Sequence, residues 1–150
     1  MYNFKNVLIT GGAGFIGSNL INRIANKHKF SKIVSIDNYS TGNFKNHIRR
    51  KNIEYINLDC QKIFKTQNSL LKKFKPNYIF HLGEFSRVFP SFENKNKCFD
   101  SNIIGTLNVL KYSLKKKSKL IYSASSIHWG AKHHSLSPYA WTKAKNIELI

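Results

Sequence analysis

Acidic side chains are scarce in this sequence. Seven Asp and Glu stand against 25 Lys and Arg, for a formal charge of +18 and a pI near 10.1. That balance invites a nucleic-acid partner, because a basic surface attracts phosphate polymers. Arginine, however, is also scarce: only Arg23, Arg49, Arg50 and Arg87 occur, whereas specific phosphate and base contacts lean on the guanidinium fork. The lysines are scattered except for Lys115-Lys116-Lys117 with Lys119, where a helix end is expected and cations suit its dipole. A genome rich in A and T encodes this load of Lys, Asn and Ile, so no nucleic-acid partner is expected. Attraction of small anionic ligands is a secondary benefit of the charge.

Cysteine is nearly absent. Cys60 and Cys98 show no metal-ligand spacing, which excludes a disulfide scaffold or zinc site and fits a reducing compartment, with both thiols expected to be buried. No apolar run approaches the length of a bilayer span, and no basic leader precedes the first strand-like run. A soluble cytoplasmic protein with no membrane partner is the expectation. Repeats and low-complexity tracts are missing too, and 150 residues suit one domain with one core.

What is present is an alternation. Strand-like runs at 5–10, 32–37, 53–58, 77–82 and 118–123 are separated by helical spacing at about 14–28, 62–74 and 93–116. That pattern predicts a doubly wound parallel sheet in the order 3-2-1-4-5. Ile16, Leu20, Ile21 and Ile24 form one predicted core stripe, and Phe99, Ile103, Leu107, Leu110 and Leu114 another. A polar loop covers residues 38 to 51. A last helix opens at Ser137-Pro138, where Ser can cap and Pro fits the first turn, and runs to Ile150.

Val7-Leu8-Ile9 leads directly into Thr10-Gly11-Gly12-Ala13-Gly14-Phe15-Ile16-Gly17. Gly11 permits a tight turn out of the strand, Gly14 clears the way for a pyrophosphate, and Gly17 permits close helix packing. The helix N-terminus offers free N–H groups to a diphosphate. Asp37 ends the second strand twenty residues beyond Gly17, where an acid binds a ribose 2′-hydroxyl and repels a 2′-phosphate, favouring NAD over NADP. Tyr139 and Lys143 lie at i and i+4 on the last helix, a phenol beside a cation that stabilises phenolate. Ser123, Ser125 and Ser126 offer hydroxyls just after the fifth strand.

These motifs together resemble the N-terminal part of an extended short-chain dehydrogenase/reductase of the NAD-dependent epimerase/dehydratase family, most like its UDP-glucose 4-epimerases. TGGAGFIG at 10–17 resembles TGxxGxxG, and Asp37-Asn38 with Ser40-Thr41-Gly42 resembles DNxSTG. His81-Leu82-Gly83-Glu84 with Val88 and Ser91 resembles HxAA and its following VxxS, and Asn102 to Thr106 resembles NVxGT. SASSIHWG at 123–130 resembles SSSxxVYG, and SPYAWTK at 137–143 resembles SPYxxSK. The resemblance implies NAD held by Gly11, Gly14, Phe15, Ile16, Gly17, Asp37, Asn38, Asp59, Cys60, Leu82, Gly83, Glu84, Asn102, Tyr139 and Lys143. It implies catalysis by Ser125, Tyr139 and Lys143: Tyr139 takes a proton from a sugar hydroxyl as hydride leaves that carbon, Lys143 tunes the phenol and holds the nicotinamide ribose, and Ser125 bonds the sugar oxygen. A nucleotide sugar, with UDP as its nucleotide, is the implied substrate, and a homodimer the implied full-length form.

Four departures stand beside the match. Ile127-His128 occupies the place of the family dehydratases' Asp-Glu pair, so dehydration lacks its general acid. Gly83-Glu84 replaces a small pair, and the carboxylate there is either structural or a tuning group. The stretch between Gly130 and Tyr139 is short. Family members run to about twice this length, so a C-terminal substrate domain is expected to be absent. His128, His133 and His134 read as a solvated loop, and Trp129 and Trp141 as packing residues. A sugar reductase or dehydrogenase on the same fold, and a non-catalytic dinucleotide-binding fragment, remain as alternatives.

Overall fold

A computed structural model describes residues 4–126 and 137–150. Five strands form one parallel sheet: β1 (Asn6–Thr10), β2 (Lys32–Asp37), β3 (Ile53–Asn57), β4 (Tyr78–His81) and β5 (Lys119–Tyr122), in the order β3-β2-β1-β4-β5. The register sets Leu8 opposite both Val34 and Ile79, and Ile36 opposite Ile56. The strand order and direction are those the alternating pattern predicts.

Side chains alternate across a strand, so β1 feeds two cores. Val7 and Ile9 point to one face, where Ile21, Ile24 and Ala25 of α1 (Phe15–Lys27) pack with Ile33 and Ile53. Leu8 points to the other, with Val34, Ile36, Ile63, Ile79, Val109 and Tyr112. Covering both faces is what an all-parallel sheet demands. Leu8, Ile9 and Ile79 are fully buried, each stabilising the fold by about 1.5–3 kcal/mol relative to exposure.

Helical boundaries depart from the sequence pattern in two places. Only Ser69–Lys73 is α-helical (α2) within 62–74, after a 3₁₀ turn at Cys60–Lys62. The helical region expected from 93 begins earlier and is jointed: α3 (Val88–Glu93), α4 (Lys95–Phe99), a π turn at Asp100–Ile104, then α5 (Gly105–Lys116), which ends at Lys117 in a left-handed conformation.

The predicted core stripes are corrected accordingly. From α4 through the π turn to α5 the buried residues are Cys98, Asn102, Gly105, Thr106, Val109, Tyr112 and Ser113, while Phe99 is 38% exposed and Leu114 68%. The π turn widens one turn of helix and rotates the face downstream of it, which a 3.6-residue count cannot register. Polar residues on the inward side also serve a buried network, which leaves Phe99 and Leu114 outside and Ile103, Leu107 and Leu110 only half-buried. Ile16 is likewise 62% exposed, on the first turn of α1, rather than in the core. The last helix, α6 (Pro138–Leu149), is capped as predicted, the Ser137 hydroxyl accepting from the Ala140 N–H at 3.0 Å.

Candidate functional site

The glycine turn is built by close backbone approach. Gly11 has φ +71°, and a Cβ there would lie 2.8 Å from the Gly83 backbone, so the ends of β1 and β4 touch main chain to main chain. A Cβ on Gly17 would sit 2.2 Å from the Gly11 carbonyl, which fixes how near α1 starts to the turn. Gly14 differs: its Cβ would meet only the Gly11 oxygen, at 3.3 Å. The first turn of α1 has no side-chain cap and no acidic residue, and Phe15 and Ile16 stand exposed beside it. Unspent N–H groups and a positive helix end are what a diphosphate needs.

Asp37 closes β2 and braces this turn. Its Oδ2 accepts from the Ala13 N–H at 2.9 Å and its Oδ1 from the Tyr39 N–H at 2.8 Å, which leaves each oxygen a second lone pair. The Ala13 carbonyl in turn accepts from the Asn43 N–H and the Asn46 amide. The polar loop is thus held against the turn, and the left-handed Tyr39 (φ 56°) stacks its ring on Phe44 with centroids 3.8 Å apart. Nearby, the Asn38 amide donates to Asp59 at 2.7 Å, and Asp59 caps the 3₁₀ turn through the Gln61 N–H. Cys60 lies beneath, its thiol pushed up to about 12 chiefly by burial and further by Asp59. Cys98 is buried as well, so both thiols lie where the sequence put them.

A second cluster sits at the carboxyl ends of β4 and β5. The Thr10 hydroxyl accepts from the N–H groups of Leu82 and Gly83, so its own proton points to His81 Nδ1 at 2.7 Å. That assigns the His81 proton to Nε2, which donates to Thr106 at 2.9 Å, and Thr106 donates to Glu84 Oε1 at 2.8 Å. Fully buried, His81 is pushed down to about 4 by desolvation, with Glu84 opposing and Lys143 adding to the shift, and is neutral at pH 7.

Glu84 Oε1 also accepts from the Tyr122 hydroxyl at 3.1 Å and the Asn146 amide at 2.8 Å, and its Oε2 pairs with the Lys143 ammonium. Lys143 donates as well to the Ser123 carbonyl and lies 4.3 Å from the centre of the Tyr122 ring. Burial, then Glu84, raise the Tyr122 phenol. Of the two roles left open for Glu84, the structural one is occupied by this pair.

Asn102 is fully buried and clamps the chain after β4: its Oδ1 accepts from the Phe85 N–H at 2.7 Å, and its amide donates to the Phe85 carbonyl and Thr142. Tyr139 is half-buried at the start of α6, its N–H bonded to Ser91 at 3.3 Å. Ser125 is half-buried just past β5. Trp141 packs against Phe99 with ring centroids 5.3 Å apart and stays 38% exposed. Ile127, His128, Trp129, His133 and His134 lie outside the described residues. Thr106 and Asn146 were missed as partners of Glu84. Their signal was available in the spacing, Asn102 with Thr106 and Thr142 with Asn146, each i to i+4 on an inward helix face.

A parallel sheet with a glycine turn at its switch point, an acid ending the second strand and a buried polar cluster beside it define a dinucleotide-binding α/β domain. The model of the NAD dependent epimerase/dehydratase family matches residues 7–149, and the chain belongs to that family. It is similar to Protein CapI of Staphylococcus aureus, at 34% identity over 93% of this chain and 47% of the relative. It is also similar to UDP-glucuronic acid decarboxylase 5 of Arabidopsis thaliana, at 32% identity over 83% of this chain and 35% of the relative. The crystal structure of UDP-glucose 4-epimerase with UDP-glucose from Thermotoga maritima superposes with a TM-score of 0.83 at 26% identity, over 96% of this chain and 49% of that one. The chain thus spans about half the length, or less, of the proteins it matches. Among the described residues no helix is long and apolar enough to cross a membrane.

Proposed function

We propose that this chain is the NAD-binding half of a nucleotide-sugar epimerase of the UDP-glucose 4-epimerase kind. The observation that carries the reading is convergence: the glycine turn follows β1, Ser125 follows β5, and Lys143, on the helix that also carries Tyr139, reaches Glu84 just past β4 and the Ser123 carbonyl just past β5, at the strand ends where open α/β sheets take their ligands. The site fits NAD on its own geometry, through the uncapped helix end, the open space at Gly14 and the spare lone pairs of Asp37. Phe15, Ile16 and Gly17 would offer the diphosphate their backbone. Asp37 and Asn38 would hold the adenine ribose, Asp59 and Cys60 the adenine, and Leu82, Gly83 and Glu84 would border the nicotinamide.

Bound NAD supplies a hydride acceptor that is regenerated within each turnover. The chain supplies proton handling: Tyr139 takes the proton from a sugar hydroxyl and later returns it, while Ser125 bonds the same oxygen as it becomes a carbonyl. Orientation of the sugar can account for about 7–11 kcal/mol of a barrier. In this reading much of that grip comes from residues beyond these 150, and a homodimer is the working form. The 150 residues alone therefore interconvert UDP-galactose and UDP-glucose poorly, and a protein carrying the relatives' full length does so well, with Tyr139→Phe abolishing most of it. Cofactor choice is tested on the chain itself by NADH and NADPH fluorescence titration. NADH binds more tightly, and Asp37→Ala shrinks the difference by about 1–3 kcal/mol; a preference for NADPH in the unmutated chain refutes the reading.

A further inference from the structure

The Lys143 ammonium has three protons, and two of them are spent inside the protein, on Glu84 Oε2 and the Ser123 carbonyl. The Tyr122 ring covers it 4.3 Å away. The side chains of Lys143 and Glu84 are each only 5% exposed. Glu84 is heavily engaged in turn, its Oε1 accepting from Thr106 of α5, Tyr122 of β5 and Asn146 of α6 while its Oε2 pairs with Lys143 of α6. A carboxylate so surrounded holds its cation firmly, since the departure of Lys143 would leave a buried negative charge uncompensated.

We propose that Glu84 is a positioning residue that withholds Lys143 from a bound dinucleotide, so that the chain grips NAD without its lysine. The inference rests on the reading above, in which the site takes NAD with its nicotinamide bordered by Leu82, Gly83 and Glu84, the last of these paired with Lys143. A small residue at position 84 would leave the ammonium with the Ser123 carbonyl alone and free to turn outward. The substitution of Glu84 for a small residue therefore governs whether the lysine of the Tyr139–Lys143 pair serves the ligand or the fold.

The test compares three chains by NADH fluorescence titration, with ADP as a second ligand that shares the diphosphate and adenosine but lacks the nicotinamide ribose. In Glu84→Gln the amide oxygen still accepts from Thr106, Tyr122 and Asn146, and the charge that holds Lys143 is gone. NADH is expected to bind this variant about tenfold tighter than the unmutated chain, the weight of one charge-assisted hydrogen bond. ADP binding is expected to be unchanged, and the double variant Glu84→Gln/Lys143→Met to return NADH to the unmutated affinity. Equal tightening of ADP means that added positive charge acts at a distance, and overturns the proposal. NADH binding Glu84→Gln no tighter than the unmutated chain also overturns it.

A measurement on the unmutated chain stands independently of how the variants fold. The ¹⁵N resonance of the Lys143 ammonium is expected to stay in place when NADH is added, and a shift of that resonance overturns the proposal while leaving the NAD reading intact. Failure of the folded, unmutated chain to bind NADH at all overturns both.

Discussion

The two regions of the candidate site are built on different principles. Around Gly11, Gly14 and Gly17 the work is done by backbone: a left-handed turn, an uncapped helix end and a single carboxylate, Asp37, bonded to N–H groups at positions 13 and 39. Around Glu84 the work is done by side chains from β1, β4, β5, α5 and α6, joined from Thr10 through His81 and Thr106 to Glu84 and on to Lys143. At Gly11 and Gly17 the first region tolerates no added atoms. The second tolerates no missing charge, because in a dry interior each polar group depends on its partner.

Removing one charge from the second region should have the largest effect on stability. Lys143→Met leaves Glu84 buried without its cation and is expected to cost about 3–5 kcal/mol in urea denaturation, whereas Glu84→Gln/Lys143→Met removes both charges and recovers most of that loss. A single variant as stable as the unmutated chain would break the contrast drawn between the two regions.

Acid should probe the same network through His81. Its folded value, about 4, lies below the unfolded value of 6.5, so the unfolded chain binds more protons between those limits. The His81 contribution is therefore complete above pH 6.5 and is lost as pH falls from there through about 4, a difference of about 3 kcal/mol. Stability measured from pH 7.5 to 4.5 is expected to fall more steeply in the unmutated chain than in His81→Asn. Parallel slopes would remove His81 from the account.

Bulk should be the probe of the first region, with a smaller effect. Gly17→Ala drives a Cβ into the Gly11 carbonyl and Gly12 Cα, main-chain atoms that cannot swing aside, and is expected to cost about 1–3 kcal/mol. Gly14→Ala meets only one atom at 3.3 Å and should leave the thermal midpoint within a few degrees while weakening NADH binding. If both variants lost equal stability, the turn would be packing-limited throughout, and Gly14 would have no separate role toward a diphosphate.

The regions also differ in how far they could be read beforehand. The glycine turn, Asp37 at the end of β2 and the Ser137 cap follow from short-range rules, a left-handed φ that only glycine adopts easily and a hydroxyl one residue before a helix, and the strand order follows from the strand–helix alternation with right-handed crossovers. The stripe from Phe99 to Leu114 misled because a π turn at Asp100–Ile104 breaks the helical count on which the stripe rests. Glu84 stood out in the sequence as a carboxylate where a small residue was expected, yet its partners, Thr106, Tyr122, Lys143 and Asn146, lie 22 to 62 positions further on.

The sequence alone determined the sheet, its turn and the kind of ligand end that a glycine-rich strand-to-helix junction makes, because the turn depends on backbone conformation and near neighbours and the sheet on an alternation of strand and helix that right-handed crossovers resolve into one order. Only the tertiary structure decided that Lys143 faces Glu84 and the Ser123 carbonyl. That choice is made by three elements meeting in a buried space, where a charge goes to whichever partner compensates it best.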